Sequence, residues 1–247
     1  IAMIQIKGLE GKGTEPSCFI DYDADGTPIA ELGWNLPKDA RWFFIEDIKV
    51  GMDLALSNNN IVSVSSGTPL SAARYISVSN QKGGVGKTTT TINLATALSA
   101  VGKKILVVDL DPQGNASTGL GVDRAHRVNG TYEVLFGECE IDQAAAPTKM
   151  PNLYVIPASI HLSGAEVELV GAKQREFRLK MAFEKSKTHY DYILFDCPPS
   201  LNLLTLNALV ASTGVLVPLQ CEFFALEGLS HLVKTIERVK TSFNEKL

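Results

Sequence analysis

The chain has 247 residues, of which 45% are hydrophobic, and its formal net charge is −4. This apolar content is sufficient for a sizeable core, and no apolar run reaches the roughly 18 residues that a membrane-spanning helix needs. The charge is unevenly distributed, because residues 1–74 carry six Lys/Arg against ten Asp/Glu, whereas residues 75–247 carry seventeen of each. Neither part therefore has the basic excess expected of a protein that binds nucleic acid by itself.

The four cysteines are far apart in the chain and form no C-x-x-C pair: Cys18, Cys139, Cys197 and Cys221. Scattered cysteines are typical of reduced thiols rather than of a disulfide framework or a zinc site. The chain also begins without the basic segment and apolar run of a signal peptide. We therefore expect a cytoplasmic protein, in which Cys197 is a small buried packing residue.

Residues 1–70 are expected to form a small, β-rich N-terminal segment of unknown role, followed by a main domain over 71–247. The small, polar residues near 63–70 are typical of a linker. Asp21, Asp23 and Asp25 resemble a calcium-binding loop, but the twelfth position, where an EF-hand has Glu, is Leu32. A β-hairpin with an Asp-Gly turn between residues 18–22 and 28–32 is the favoured interpretation.

After residue 72, predicted strands alternate with predicted helices. The strands are short and almost continuously apolar, as in a parallel sheet covered on both faces; they span residues 74–79, 104–110, 153–157, 192–195 and 214–219. Apolar residues over 226–239 recur on one helical face. This alternation predicts an α/β fold with a doubly wound, mainly parallel sheet and helices on both faces. Ligands of such sheets bind at the carboxyl ends of the strands.

A glycine-rich stretch, residues 81–89, follows the first of these strands and precedes a predicted helix over 88–101. Glycines let backbone N–H groups approach phosphate oxygens, and a helix N-terminus adds positive potential. The stretch is a variant of G-x-x-x-x-G-K-[ST], because position 81 is Gln and a second lysine follows it. The agreement of strand, loop and helix favours a phosphate site over a surface loop. The predicted nucleotide-binding residues are Lys82, Gly83, Gly84, Val85, Gly86, Lys87, Thr88 and Thr89.

Two further strands end in aspartates. Asp109 and Asp111 are two residues apart at the end of the second strand, so both point to the same side of an extended chain. Asp196 ends the strand over 192–195, which is the Walker B arrangement. Acidic groups beside a phosphate loop can hold hydrated Mg²⁺ and orient an attacking water. Each motif alone is also compatible with a solvated turn or an ordinary strand end, but the ordered set is specific.

Together these residues resemble the ParA/Soj family of chromosome- and plasmid-partitioning ATPases, within the deviant-Walker group of P-loop NTPases that includes MinD. The resemblance covers residues 73–247 and is carried by the deviant Walker A, Walker A′ and Walker B motifs and by the segment after them, which lie at 82–89, 109–115, 195–199 and 218–229. It implies that ATP and Mg²⁺ are the cofactors and that ATP hydrolysis is the activity.

The resemblance also implies a role for each motif residue. Lys82 would be the signature lysine, which reaches across a dimer to the partner's nucleotide, and Lys87 would bind phosphates in its own subunit. Thr88 would ligate Mg²⁺, with Asp196 assisting through water and Asp109 supporting the metal's shell.

Hydrolysis and assembly follow from the same resemblance. Asp111 would orient the attacking water, so Asp111, Lys82 and Lys87 are the expected catalytic residues. ATP binding would produce a homodimer, whose hydrolysis a ParB-like partner stimulates, and the complete protein would bind DNA non-specifically without a membrane anchor. We expect a further C-terminal part, supplying much of the adenine pocket and the DNA-binding residues, to be missing from this chain. A MinD-like ATPase for cell-division positioning and a nucleotide-binding module without effective turnover are the alternatives.

Overall fold

The computed structural model describes residues 73–219 and 225–247, together with four strands that precede them. These four are β1 (Met3–Lys7), β2 (Phe19–Tyr22), β3 (Pro28–Leu32) and β4 (Arg41–Trp42). The linker predicted near 63–70, and also Cys18 and Cys221, lie outside the described residues. The division of the chain near residue 70 stays a prediction.

The later strands are β5 (Arg74–Val78), β6 (Ile105–Asp109), β7 (Ala146–Pro147), β8 (Leu153–Ile156), β9 (Tyr192–Asp196) and β10 (Gly214–Leu219). The helices are α1 (Lys87–Ala100), α2 (Asn115–Gly119), α3 (Thr131–Phe136), α4 (Ile141–Ala144), α5 (Leu162–Val170), α6 (Arg178–Lys185), α7 (Leu203–Ala211) and α8 (Ala225–Ser242). A 3₁₀ turn spans Arg124–His126. Within the described residues, no helix is both long and apolar enough to cross a membrane.

The main sheet has the strand order β4-β1-β10-β5-β9-β6-β8-β7. Its five central strands, from β10 to β8, are parallel, whereas β7 pairs antiparallel with β8 and β1 pairs antiparallel with β10. The strands β2 and β3 form a separate antiparallel pair, in which Phe19 lies opposite Leu32. The predicted pairing of these two segments and the predicted mainly parallel sheet are therefore confirmed, whereas the Asp-Gly turn predicted between them lies outside the described residues.

Helices cover both faces of this sheet, which explains why its central strands are almost continuously apolar. In β6, Leu106 and Val108 pack on the face shared with α3 to α7, whereas Ile105 and Val107 pack on the face shared with α1 and α2. Every residue of β6 is consequently buried. The doubly wound arrangement predicted from the alternation of strands and helices is thus confirmed, and it brings the ends of β5, β6 and β9 together at one edge.

Helix α1 is flanked on both sides by glycines in the left-handed region. Gly86 precedes it with φ of 87°, and Gly102 follows it with φ of 84°. The N–H of Gly102 donates to the carbonyl of Ser99 at 2.9 Å, as in a glycine C-terminal cap. The helix therefore matches the predicted span of 88–101 to within one residue at each end, and its first turn carries the Lys-Thr pair.

Candidate active site

The glycine-rich loop between β5 and α1 is anchored by Asn80, which the sequence reasoning did not single out. The Asn80 amide donates to the carbonyl of Pro218 at 2.7 Å, and its Oδ1 accepts the N–H of Lys82 at 3.0 Å. Its side chain is buried. One side chain thus ties the start of the loop to the neighbouring strand β10.

Two glycines give the loop its curvature. Gly84 and Gly86 have φ of 74° and 87°, in the left-handed region that side chains with a Cβ disfavour. A Cβ at either position would meet no atom within 4 Å, so backbone conformation rather than space is what requires glycine here. Between them, Val85 points into the protein and is buried. The loop therefore turns its backbone towards the start of α1, as a phosphate site requires.

Lys87 lies inside this loop and is only 7% exposed. Its Nζ donates to the carbonyl oxygen of Lys82 at 3.0 Å. Burial lowers the pKa of Lys87, and the nearby Asp196, Cys197 and Asp111 oppose that effect. Lys82 itself is only partly buried. The two lysines thus differ in burial, and Lys82 is the more accessible to solvent.

Asp196 lies at the end of β9 and is fully buried. The Thr88 hydroxyl donates to its Oδ2 at 2.8 Å, and the Thr91 hydroxyl is 3.0 Å from its Oδ1. Thr91 also lies 3.0 Å from the carbonyl oxygen of Lys87, so its single proton is shared between two acceptors. Burial, followed by the charge of Asp109, raises the pKa of Asp196 to about 7. The predicted magnesium ligands Thr88 and Asp196 are therefore in direct contact.

Asp109 is the cross-strand neighbour of Asp196 in the β6–β9 register and is also fully buried. Its Oδ2 accepts the N–H and the hydroxyl of Ser117 at 2.8 and 2.6 Å, and its Oδ1 accepts the N–H of Asp111 at 3.2 Å. Burial raises the pKa of Asp109 to about 6, against the effect of the Ser117 hydrogen bonds. Both oxygens thus bind donors of the chain itself. Support of a metal shell by Asp109 stays a prediction.

Asp111 is the more accessible member of the acidic pair, being partly buried in the turn after β6. Its Oδ1 accepts the N–H of Gln113 at 2.9 Å, and its carbonyl accepts the N–H of Gly114 at 2.8 Å. Its charge is close enough to Lys87 to oppose the lowering of that lysine's pKa by burial. The carboxylate therefore lies near the Lys87 ammonium, in a turn that is itself hydrogen-bonded.

Cys197, next to Asp196, is a packing residue, as the sequence predicted. The side chain is 1% exposed, and burial raises the pKa of its thiol to about 12. A thiol of this kind is neutral and unreactive at physiological pH.

The structure brings the predicted lysines, Thr88 and the three aspartates to the carboxyl ends of β5, β6 and β9. It adds residues that the sequence reasoning missed, namely Asn80, Thr91, Ser117, Arg127 and Thr131. Only Thr91 had a usable signal, because it lies one helical turn after Thr88 and so shares its face. A glycine-rich loop between strand and helix, with Lys-Thr beside a buried aspartate of the adjacent strand, defines a P-loop nucleotide-binding protein of the deviant-Walker kind.

Comparisons with known proteins narrow this class. A family profile described as an AAA domain matches residues 73–247. The chromosome partitioning protein ParA of Caulobacter vibrioides is 55% identical over 176 residues, which are 70% of this chain and 66% of the relative. The sporulation initiation inhibitor protein Soj of Bacillus subtilis is 51% identical over 174 residues, which are 70% of this chain and 69% of the relative. The chain belongs to the ParA/Soj family, and it spans about two thirds of the length of these relatives.

A solved structure agrees with this assignment. The protein from Mycobacterium smegmatis named cobyrinic acid a,c-diamide synthase, crystallised with an ATP analog and magnesium, superposes with a TM-score of 0.68 at 42% identity. The match covers 71% of this chain and 70% of that one. The resemblance seen in the sequence motifs is therefore confirmed at the level of family and fold.

Proposed function

We propose that this chain binds ATP with Mg²⁺, hydrolyses it, and acts as the nucleotide-dependent dimer switch of a DNA-partitioning system. The observation that carries the proposal is the contact of Thr88, at the start of α1, with the buried Asp196 of β9, beside the ammonium of Lys87. The names of the curated relatives support partitioning, and the ligands of the Mycobacterium smegmatis structure support ATP and magnesium.

The side chains at the loop fit magnesium, which prefers oxygen ligands. A threonine hydroxyl has two lone pairs and one proton, so Thr88 could ligate the cation while still donating to Asp196. Burial raises the pKa of Asp196. A nearby cation would have the opposite effect and favour the ionised form of this carboxyl. Lys87 would leave the carbonyl of Lys82 for the β/γ-phosphates, and the N–H groups of 82–89 would bind phosphate oxygens.

Hydrolysis needs a positioned water and compensation of the charge that develops on the transferred phosphoryl group. Asp111 lies near Lys87 and would orient the water. Lys87 would stabilise the developing charge in its own subunit, and Lys82 would do so from the partner of an ATP-bound homodimer. The proposal also includes a ParB-like protein that stimulates turnover, non-specific DNA binding by the complete protein, and a cytoplasmic location.

Nucleotide binding and turnover can be separated with two variants. Lys87→Ala removes a charge-assisted contact worth about 1.5–3 kcal/mol, so ATP affinity should fall roughly ten- to hundredfold. Asp111→Ala should keep ATP affinity and lose phosphate release. Affinity is measured with a fluorescent ATP analogue and turnover by phosphate release. Unchanged affinity in Lys87→Ala contradicts the assigned loop, whereas a parent protein that binds ATP without releasing phosphate is a binding module only.

The dimer switch has its own test. Lys82→Gln should leave the ATP affinity of the monomer nearly intact and abolish ATP-dependent dimerisation, measured by sedimentation with Asp111→Ala present to retain ATP. If the Lys82→Gln variant dimerises as tightly as its Asp111→Ala parent, Lys82 does not act between subunits and makes an ordinary contact within its own subunit. A parent that forms no dimer with ATP would contradict the dimer switch for this chain.

A further inference from the structure

A buried polar network lies behind the phosphate site, and Ser117 is at its centre. Ser117 is fully buried in α2. Its N–H and its hydroxyl both donate to Asp109 Oδ2, at 2.8 and 2.6 Å. Its Oγ also accepts the N–H of Ala158 at 3.0 Å. The hydroxyl therefore uses its one proton on the carboxylate and a lone pair on a backbone N–H that follows β8.

The carboxylate that Ser117 holds is shared with Asp111. Asp109 Oδ1 accepts the backbone N–H of Asp111 at 3.2 Å, so one carboxylate joins the helix to the turn that carries the predicted water-orienting residue. Rotation of the Asp109 carboxylate would move both sets of hydrogen bonds. The position of Asp111 relative to the loop is therefore set partly by a residue six positions further along the chain.

The far end of the network is held by further hydrogen bonds. The carbonyl of Ala158 accepts Arg127 Nη1 at 3.1 Å, and Arg127 Nη2 donates to Thr118 Oγ1 at 2.7 Å. Thr131 Oγ1 donates to the carbonyl of Asp109 at 2.7 Å. Ala158 is thus held on both of its backbone groups, and it presents a fixed N–H to Ser117.

We propose that Ser117 is a positioning residue for ATP hydrolysis, acting through Asp109 on Asp111; this rests on the function proposed above. Ser117 has no contact with the phosphate loop among its hydrogen bonds, so its removal should leave nucleotide binding intact. It should instead reduce the fraction of bound complexes in which Asp111 is correctly placed, and misplacement by about 1 Å can lower a rate roughly hundredfold.

The test compares Ser117→Ala with Ser117→Thr, which keeps the hydroxyl. Ser117→Ala should lower kcat for ATP by about ten- to hundredfold, with its Kd for ATP within about twofold of the parent value, and Ser117→Thr should recover most of the rate. The matched control is Ser212→Ala. Ser212 is likewise a buried serine, whose hydroxyl donates to a backbone carbonyl and contacts another side chain. It lies outside the network around Ser117.

Four outcomes would overturn the positioning role. In Ser117→Ala, these are an unchanged kcat or a parallel loss of kcat and affinity. In the comparison variants, they are an equal loss of kcat in Ser212→Ala or a Ser117→Thr variant as slow as Ser117→Ala. Asp111→Ala distinguishes this failure from that of the proposed function. If Asp111→Ala hydrolyses ATP at the parent rate, the hydrolytic role assigned to Asp111 is itself wrong. If Asp111→Ala is inactive while Ser117→Ala is fully active, only the role proposed for Ser117 is wrong.

Discussion

Replacing Gly114 by alanine should destabilise the fold for two separable reasons. The first is backbone strain, because Gly114 has φ of 64° and ψ of 33° just before α2. A residue with a Cβ pays about 1–2 kcal/mol to adopt this left-handed conformation. The N–H of Gly114 also donates to the carbonyl of Asp111 at 2.8 Å, which ties the residue to its turn.

The second reason is a collision with Arg127. A Cβ on Gly114 would overlap Arg127 Nη1 and come within 3.2 Å of the carbonyl oxygen of Ala158. The guanidinium is at the end of a flexible side chain, but it is buried and donates to Ala158, to Thr118 and to Val122. Losing one such bond from a charged donor costs about 1.5–3 kcal/mol. The two effects together are about 2.5–5 kcal/mol, a large part of the roughly 5–15 kcal/mol that stabilises a domain.

Urea unfolding of matched variants separates the two effects. Gly121 also has a positive φ, of 87°, but a Cβ there would meet nothing within 4 Å, so Gly121→Ala should cost only the backbone share, about 1–2 kcal/mol. In an Arg127→Ala background, the destabilisation by Gly114→Ala should likewise fall to the backbone share, because the side chain that would collide is absent. Equal destabilisation by the two glycine substitutions, or the same effect of Gly114→Ala in both backgrounds, would refute the reasoning.

Three further predictions concern the buried groups of the site. Thr91→Val removes one of the two hydroxyls that donate to Asp196, so the apparent Mg²⁺ affinity in phosphate-release titrations should fall about tenfold. Thr96→Val is the control, since the hydroxyl of Thr96 donates to a backbone carbonyl of its own helix. An equal effect of both substitutions would contradict the assignment. Because burial raises the pKa of Asp196 to about 7, the folded state binds more protons than the unfolded state above the ordinary pKa of a carboxyl, and stability in EDTA should fall as the pH rises through about 7. Asp196→Asn should flatten this dependence of the urea midpoint, and an unchanged slope would show that other groups cause it. The thiol of Cys197, with its pKa raised to about 12, should resist alkylation at pH 8 in the folded protein and react in urea, as peptide mass spectrometry can measure.

The parts of this structure that sequence reasoning predicted are those with a local cause. Residues 105–108 are continuously apolar because both faces of β6 are covered, and that pattern indicates a central parallel strand. Lys87 and Thr88 follow glycines at a helix start, so their place is set by neighbours in the chain. The meeting of Thr88 with Asp196 follows once the strands are parallel, because parallel strands end at a common edge.

The supporting network could not be predicted, because its contacts join segments that are distant in sequence. Ser117 meets Ala158 across 41 positions, and Arg127 meets the same residue across 31. Neither residue belongs to a motif, and a buried arginine that bonds mainly to carbonyls has no characteristic pattern. The hydrogen bonds from α2 to Asp109 have the same origin, since this helix begins close enough to the end of β6 to donate to its carboxylate.

Among the described residues, the main sheet ends on one side at β7, which is only two residues long. The edge at β7 ends in Pro147, which has no N–H to offer a neighbouring strand. Short, proline-terminated edges are poor templates for the addition of a strand from another molecule. Addition of a strand from a second copy of the chain at this edge is thereby discouraged.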